Sequence, residues 1–194
     1  MGLADTRIMI ADDEPIIRMG LREMLQEQGY IVVGEASDGQ TAIDVAREVR
    51  PDVVVMDIRM PGVDGIAAAE ILTAERIAPI ILITAYPDRE LVERARDAGV
   101  FAYVRKPFNE AQLIPQIEIA LARFAEFQAL VQEAGDARVA METRKVVERA
   151  KGVLMKAHGL DEGEAYKRIQ RLSMNSRKPM RDIAEAILVT TQTE

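Results

Sequence analysis

Three apolar runs end on polar residues: Ile8-Met9-Ile10-Ala11 on Asp12 and Asp13, Val53-Val54-Val55-Met56 on Asp57, and Ile80-Ile81-Leu82-Ile83 on Thr84. A fourth polar residue, Lys106, follows Tyr103-Val104-Arg105. Runs this short and continuous read as strands buried on both faces. Strands are predicted at roughly 7–11, 30–35, 52–56, 79–84 and 101–104. Amphipathic helices are predicted between them at roughly 15–28, 39–49, 64–75 and 88–98, and from 109 onward. Gly29 and Gly99 fall where helix C-caps belong, and Pro51 and Pro79 punctuate strand entries. The alternation predicts an α/β fold, a doubly wound five-stranded parallel sheet.

From 109 the pattern stays helical. Ile114, Ile117, Leu121 and Phe124 recur at three- and four-residue steps. The register then weakens, giving about two clean heptads, too few to define a coiled coil. Gly135-Asp136 reads as a break or hinge, and Pro115 as a kink or a first-turn residue. Residues 137–194 contain no strand pattern. One helix carries Val146, Val147, Ala150, Val153, Leu154 and Ala157 and can end at Gly159. Asp161 with Glu164 reads as a capping box for a second helix, and Pro179 opens a third. The expected organisation is a sheet domain at 6–122, a helical linker at 123–136 and a small all-α three-helix bundle at 137–191.

Length and composition fit this reading. The 194 residues are 48% hydrophobic, enough for two packed cores. No apolar run approaches the ~20 residues needed to span a bilayer. No basic region followed by an apolar stretch marks an export signal, so the cytoplasm is the expected compartment. With no cysteine, disulfides and thiolate metal sites are excluded. The net charge of −7 is unevenly spread. Residues 1–139 hold 14 Lys and Arg against 24 Asp and Glu, whereas residues 140–194 hold 11 against 8. An acidic front and a mildly basic tail point to different partners.

The carboxyl ends of parallel strands gather along one edge, where ligands bind. Asp12, Asp13, Asp57, Thr84 and Lys106 are therefore expected to converge. Three carboxylates suit magnesium, which prefers oxygen ligands. Asp57 reads as a nucleophile toward phosphorus. Lys106 can neutralise the transferred group, and the Thr84 hydroxyl can donate a hydrogen bond to it. Asp64-Gly65 reads only as a helix cap. His158, the sole histidine, reads as a helix C-terminal or surface residue with no ligand cluster around it.

Ala11-Asp12-Asp13-Glu14, the segment Met56 to Gly65, Thr84-Ala85 and Lys106-Pro107-Phe108 together resemble the receiver domain of two-component response regulators. The resemblance covers roughly residues 6–125. It implies that Asp57 is the phosphoacceptor, taking phosphate from the phosphohistidine of a sensor histidine kinase. It implies Mg²⁺ held by Asp13, Asp57 and the backbone carbonyl of Arg59, with Asp12 assisting. It further implies a cis Lys106-Pro107 bond, with Thr84 and Tyr103 as switch residues. Such proteins turn over no metabolite, so an enzyme is not expected.

Arg144 to Met155 with its Ala150-Lys151-Gly152-Val153-Leu154-Met155 core, then Glu164-Ala165-Tyr166, Arg171 and Asp182-Ile183-Ala184, resemble the ANTAR domain. That family is an RNA-binding output module of transcription antiterminators, which bind tandem stem-loops in leader transcripts. RNA loops offer bases that stack on aromatic rings, and phosphates that pair with basic side chains. Arg144, Lys145, Arg149, Lys151, Lys156, Tyr166 and Arg171 are the candidate RNA contacts. Gly152 reads as a packing residue. Phosphorylation is a candidate trigger for homodimerisation. Two alternatives are a DNA-binding output built on a helix-turn-helix, and a tail that binds protein; the last helix is poor in base-reading side chains.

Overall fold

The computed structural model describes residues 5–85 and 89–191. The chain divides into two compact units, Met1–Gln128 and Ala129–Glu194. In the first, strands β1 (Arg7–Ala11), β2 (Ile31–Ala36), β3 (Val53–Asp57), β4 (Ile80–Thr84) and β5 (Ala102–Arg105) form one parallel sheet in the order β2-β1-β3-β4-β5. This is a doubly wound order of the flavodoxin-like type. Helices α1 (Pro15–Glu27), α2 (Gly39–Val49), α3 (Gly65–Ala74) and α4 (Arg89–Asp97) connect the strands. The start predicted at 88 for the fourth helix lies outside the described residues.

Side-chain alternation explains why the strand runs are apolar throughout. Successive residues of a strand point to opposite faces. Met9, Ala11, Val54, Met56, Ile80 and Leu82 pack with Ala42, Ile43 and Ala46 of α2 and with Ile66, Ala69 and Leu72 of α3. Their neighbours Ile8, Ile10, Val53, Val55, Ile81 and Ile83 pack on the other face with Leu21 and Leu25 of α1 and with Leu113, Ile117 and Ala120. The central strands serve two cores at once and cannot afford a polar position until they end.

Helix termini follow local chemistry. Asp38 and Asp64 accept hydrogen bonds from the Thr41 and Ala67 amides, capping α2 and α3. After α1 the amides of Gly29 and Tyr30 donate to the Gln26 and Leu25 carbonyls, and after α4 those of Gly99 and Val100 donate to Arg96 and Ala95. Gly29 and Gly99 take φ of 86° and 74°, values that glycine adopts without steric cost.

Helix α5 spans Glu110–His158 without interruption. The break expected at Gly135-Asp136 is absent. Strong helix formers flank the pair, and the Gln132 amide donates to the Asp136 carboxylate one turn on, so one glycine does not end the helix. Asn109 and Gln112 cap its start reciprocally. Pro115 lies inside the helix, beyond its first turn. In the second unit, the last turns of α5 pack with α6 (Glu162–Ser176) and α7 (Met180–Thr191). Their shared core is Val147, Ala150, Leu154, Ala165, Ile169 and Ala184. Gly159, with φ of 65°, follows α5, and the Asp161–Glu164 capping box starts α6. Among the described residues no helix is long and apolar enough to cross a membrane.

Candidate functional site

Strand register builds the site. Ala11 pairs with Met56, Asp57 with Ile83, and Thr84 with Arg105. The residues at or just after these positions therefore lie along one edge of the sheet. One carboxylate oxygen each from Asp12, Asp13 and Asp57 falls within 4.8 Å of the others. Asp12 is fully buried, Asp57 and Thr84 nearly so, and Asp13 is exposed. The Lys106 ammonium lies 2.8 Å from Asp12 Oδ2, where it donates a hydrogen bond, and 3.2 Å from Asp57 Oδ1. Asp13, Glu14, Asp57, Arg59, Thr84, Ala85 and Lys106 line a cavity of about 240 Å³. The Lys106-Pro107 peptide bond is cis.

The electrostatics follow from burial and proximity. Burial pushes the Asp57 carboxyl up from its ordinary value; the Lys106 ammonium pulls it back and the Asp12 charge adds to the rise. For Lys106, burial alone would lower the pKa. Its hydrogen bond to Asp12 and the fields of Asp57 and Asp12 outweigh that and raise it. Three carboxylates against one ammonium leave an excess of negative charge among oxygen donors. That donor set fits a hard divalent cation such as Mg²⁺.

Main-chain contacts hold these groups in place. Asp12 N–H donates to the Ala36 carbonyl, and Glu14 N–H to Asp12 Oδ1 at 3.0 Å. Arg18, on α1, donates to the Asp12 carbonyl at 2.6 Å and to Glu35 at 3.1 Å. Lys106 N–H donates to the Thr84 carbonyl at 2.8 Å. Gly65 packs directly on Asp57: a Cβ there would stand 2.0 Å from the Asp57 carbonyl oxygen. Arg18 and the packing role of Gly65 escaped the sequence reading. Nothing along the chain marks Arg18 as facing the acidic loop, and Asp64-Gly65 carries an ordinary cap signal.

The predicted residues fall into distinct environments. Asp12, Asp13, Asp57, Arg59, Thr84 and Lys106 come together. Tyr103 stands on β5 and is 49% exposed. In the second unit Arg144, Lys145, Arg149, Lys156, Tyr166 and Arg171 are exposed. Lys151 is not: it is 6% exposed, with its ammonium 2.7 Å from Glu162 and 2.9 Å from Glu148. It joins α5 to the start of α6 and presents no free charge, which removes the basis for listing it as an RNA contact. Gly152 packs against nothing, since an added Cβ would meet no atom within 4 Å.

Comparison with known proteins covers both units. The family described as "Response regulator receiver domain" matches residues 8–118, and the ANTAR domain matches 135–188. The chain is 52% identical over 187 residues to the transcriptional regulatory protein PdtaR of Mycobacterium tuberculosis, covering 96% of this chain and 91% of that one. Among solved structures, the signal receiver domain of a modulated diguanylate cyclase from Desulfovibrio desulfuricans G20 superposes with a TM-score of 0.58 at 33% identity, covering 61% of this chain and 95% of that one. A two-component response regulator of the LuxR family from Aurantimonas sp. SI85-9A1 gives 0.57 at 39% identity, covering 61% and 86%. Matches to both units in this order, and to one relative along nearly the whole length, place the chain among the two-component response regulators that carry an N-terminal receiver and a C-terminal ANTAR domain.

Proposed function

We propose that this protein accepts a phosphoryl group on Asp57 and, in response, binds RNA through its ANTAR domain to regulate transcription antitermination. The carrying observation is the meeting of Asp12, Asp13, Asp57 and Lys106 at one sheet edge, in a chain whose second unit matches an RNA-output family. We assign the receiver to 6–122, the helical linker to 123–136 and the ANTAR domain to 137–191.

The donor is a phosphohistidine of a sensor histidine kinase. An Asp57 carboxylate oxygen attacks phosphorus, the phosphorus–nitrogen bond breaks, and the imidazole leaves with the bonding pair. Lys106 holds positive charge beside the attacking carboxylate, and the Thr84 hydroxyl donates to a phosphoryl oxygen. Mg²⁺, held by Asp13, Asp57 and the Arg59 carbonyl with Asp12 assisting, supplies further positive charge against the transferred group. A new doubly charged group at Asp57 then competes for Thr84 and Lys106, and Tyr103 on β5 reports the change at the surface. No metabolite is turned over.

On the output side, Arg144, Lys145, Arg149, Lys156, Tyr166 and Arg171 are the candidate RNA contacts. Phosphorylation-driven homodimerisation would bring two ANTAR domains to tandem stem-loops in leader transcripts and add avidity. A DNA-binding output is disfavoured by α7, where Arg181 is engaged by Glu185 at 2.8 Å and Asp182 adds negative charge. The test is Asp57→Asn. The variant is expected to stay folded and take no label from a phosphodonor; retained labelling would reject the nucleophile. Binding of a labelled stem-loop pair against duplex DNA over a range of salt separates the output readings.

A further inference from the structure

Helix α5 turns a line of unpaired cations to solvent. At 3.6 residues per turn, Arg138, Lys145, Arg149 and Lys156 fall within roughly 20° of a common line along the helix. All four are exposed, and none is paired with a carboxylate among the described residues. The opposite face, with Val147, Ala150 and Leu154, is the bundle core. Glu142 lies near the same line, and its charge is felt by Arg181.

Gly152 sits in this line, between Arg149 and Lys156. Glycine inside a helix is destabilising relative to alanine. A fold tolerates it where the backbone needs a positive φ or where a Cβ would collide. Gly39 and Gly65 meet the second condition, with backbone oxygens 2.2 and 2.0 Å from the Cβ position. Gly152 meets neither: its φ is not positive and the space above it is open. Gly135 is equally open, but it has a cation on only one side of it along α5. The fold of the ANTAR unit therefore gives no reason for Gly152, whereas a ligand lying along the cations does.

We propose that the phosphodiester backbone of an RNA stem lies along Arg138, Lys145, Arg149 and Lys156, and comes closest to the protein at Gly152. This rests on the RNA-binding reading above and names the face that makes the contact. A polyanion fits better than a protein. The four cations extend over about 27 Å of helix, and the positions between Lys145 and Lys156 on the line carry no large apolar side chain. Protein interfaces centre on such side chains.

The test uses the full-length phosphorylated protein, a labelled RNA carrying two tandem stem-loops, and anisotropy titrations at several salt concentrations. Gly152→Ala is expected to keep or raise the melting midpoint while weakening RNA binding, and Gly152→Leu to weaken it roughly tenfold or more. A merely structural glycine would not separate the two readouts in this direction. Arg149→Gln and Lys145→Gln should each make the dependence of log affinity on log salt shallower by about one. Wild-type affinity in Gly152→Leu, with an unchanged slope in Arg149→Gln, overturns the inference; it is the result expected if the line serves an acidic protein surface. Failure of the unsubstituted protein to bind the RNA overturns the RNA-binding reading, and this inference with it.

Discussion

Replacing Gly65 with alanine should disable the phosphoryl site from outside it. Gly65 opens α3, and its amide donates to the Ile58 carbonyl at 2.9 Å. An alanine Cβ would stand 2.0 Å from the Asp57 carbonyl oxygen and 3.0 Å from both the Asp57 carbonyl carbon and Ile58 Cα. Ordinary contact begins near 3.4 Å, so the main chain must part by about 1.4 Å, and no rotamer change can relieve a clash with backbone. Overpacking of this kind costs about 1–3 kcal/mol, equivalent to a fall of roughly 3–10 °C in the receiver's melting midpoint. The displacement acts on the residue whose Oδ1 is 3.2 Å from Lys106, already near the limit of hydrogen-bond reach. A misplacement of about 1 Å at a reacting group can cost roughly 100-fold in rate. The assay is a thermal melt of the full chain together with the rate of label uptake from a small-molecule phosphodonor. Gly20→Ala is the control: its Cβ meets nothing within 4 Å, and it should stabilise α1 by up to about 1 kcal/mol. An unchanged melt and rate in Gly65→Ala, or an equal loss in Gly20→Ala, would refute the reasoning.

Two further outcomes follow from the site and the bundle. Adding Mg²⁺ should raise the receiver's melting midpoint by mass action, and Asp13→Asn should abolish that rise; equal protection of both proteins would exclude Asp13 as a ligand. The hydrogen bond from Lys151 holds the Glu162 carboxyl below its ordinary 4.5, and hydrogen bonds to Glu162 and then Glu148 hold the Lys151 ammonium above 10.5. The charged native pair is therefore fully favoured between these values. Its contribution fades as pH falls below 4.5 through the folded value of Glu162, and as pH rises above 10.5 through that of Lys151. Lys151→Met should flatten both flanks of the ANTAR domain's melting profile and leave label uptake unchanged; flanks of wild-type steepness would show that the pair does not couple to folding.

The sheet was legible because its signal is local. Continuous apolar runs of four or five residues, each closed by a polar residue, carry strand identity and strand end together, so Asp12, Asp57 and Thr84 fall at the edge the pattern indicates. Caps were equally local: Asp38, Asp64 and Asp161 each accept from an amide three residues on. What the chain concealed depends on distant partners. Lys151 stands among other basic residues in sequence, and only the fold brings Glu162 to it and closes it from water. Gly135 carries the mark of a helix end, but that signal is worth only about 1 kcal/mol, which good helix formers on both sides override. Arg18 looked like any charge on an amphipathic helix until the Asp12 carbonyl lay beneath it.

Lys106 closes the sheet edge like a drawstring. Its amide is fastened to the end of β4 through the Thr84 carbonyl, and its ammonium is looped over the residue that follows β1 and the one that ends β3. Three neighbouring strands are thus gathered by one residue that itself trails from the border strand β5. Slack or tension introduced at any of the three is handed directly to that border.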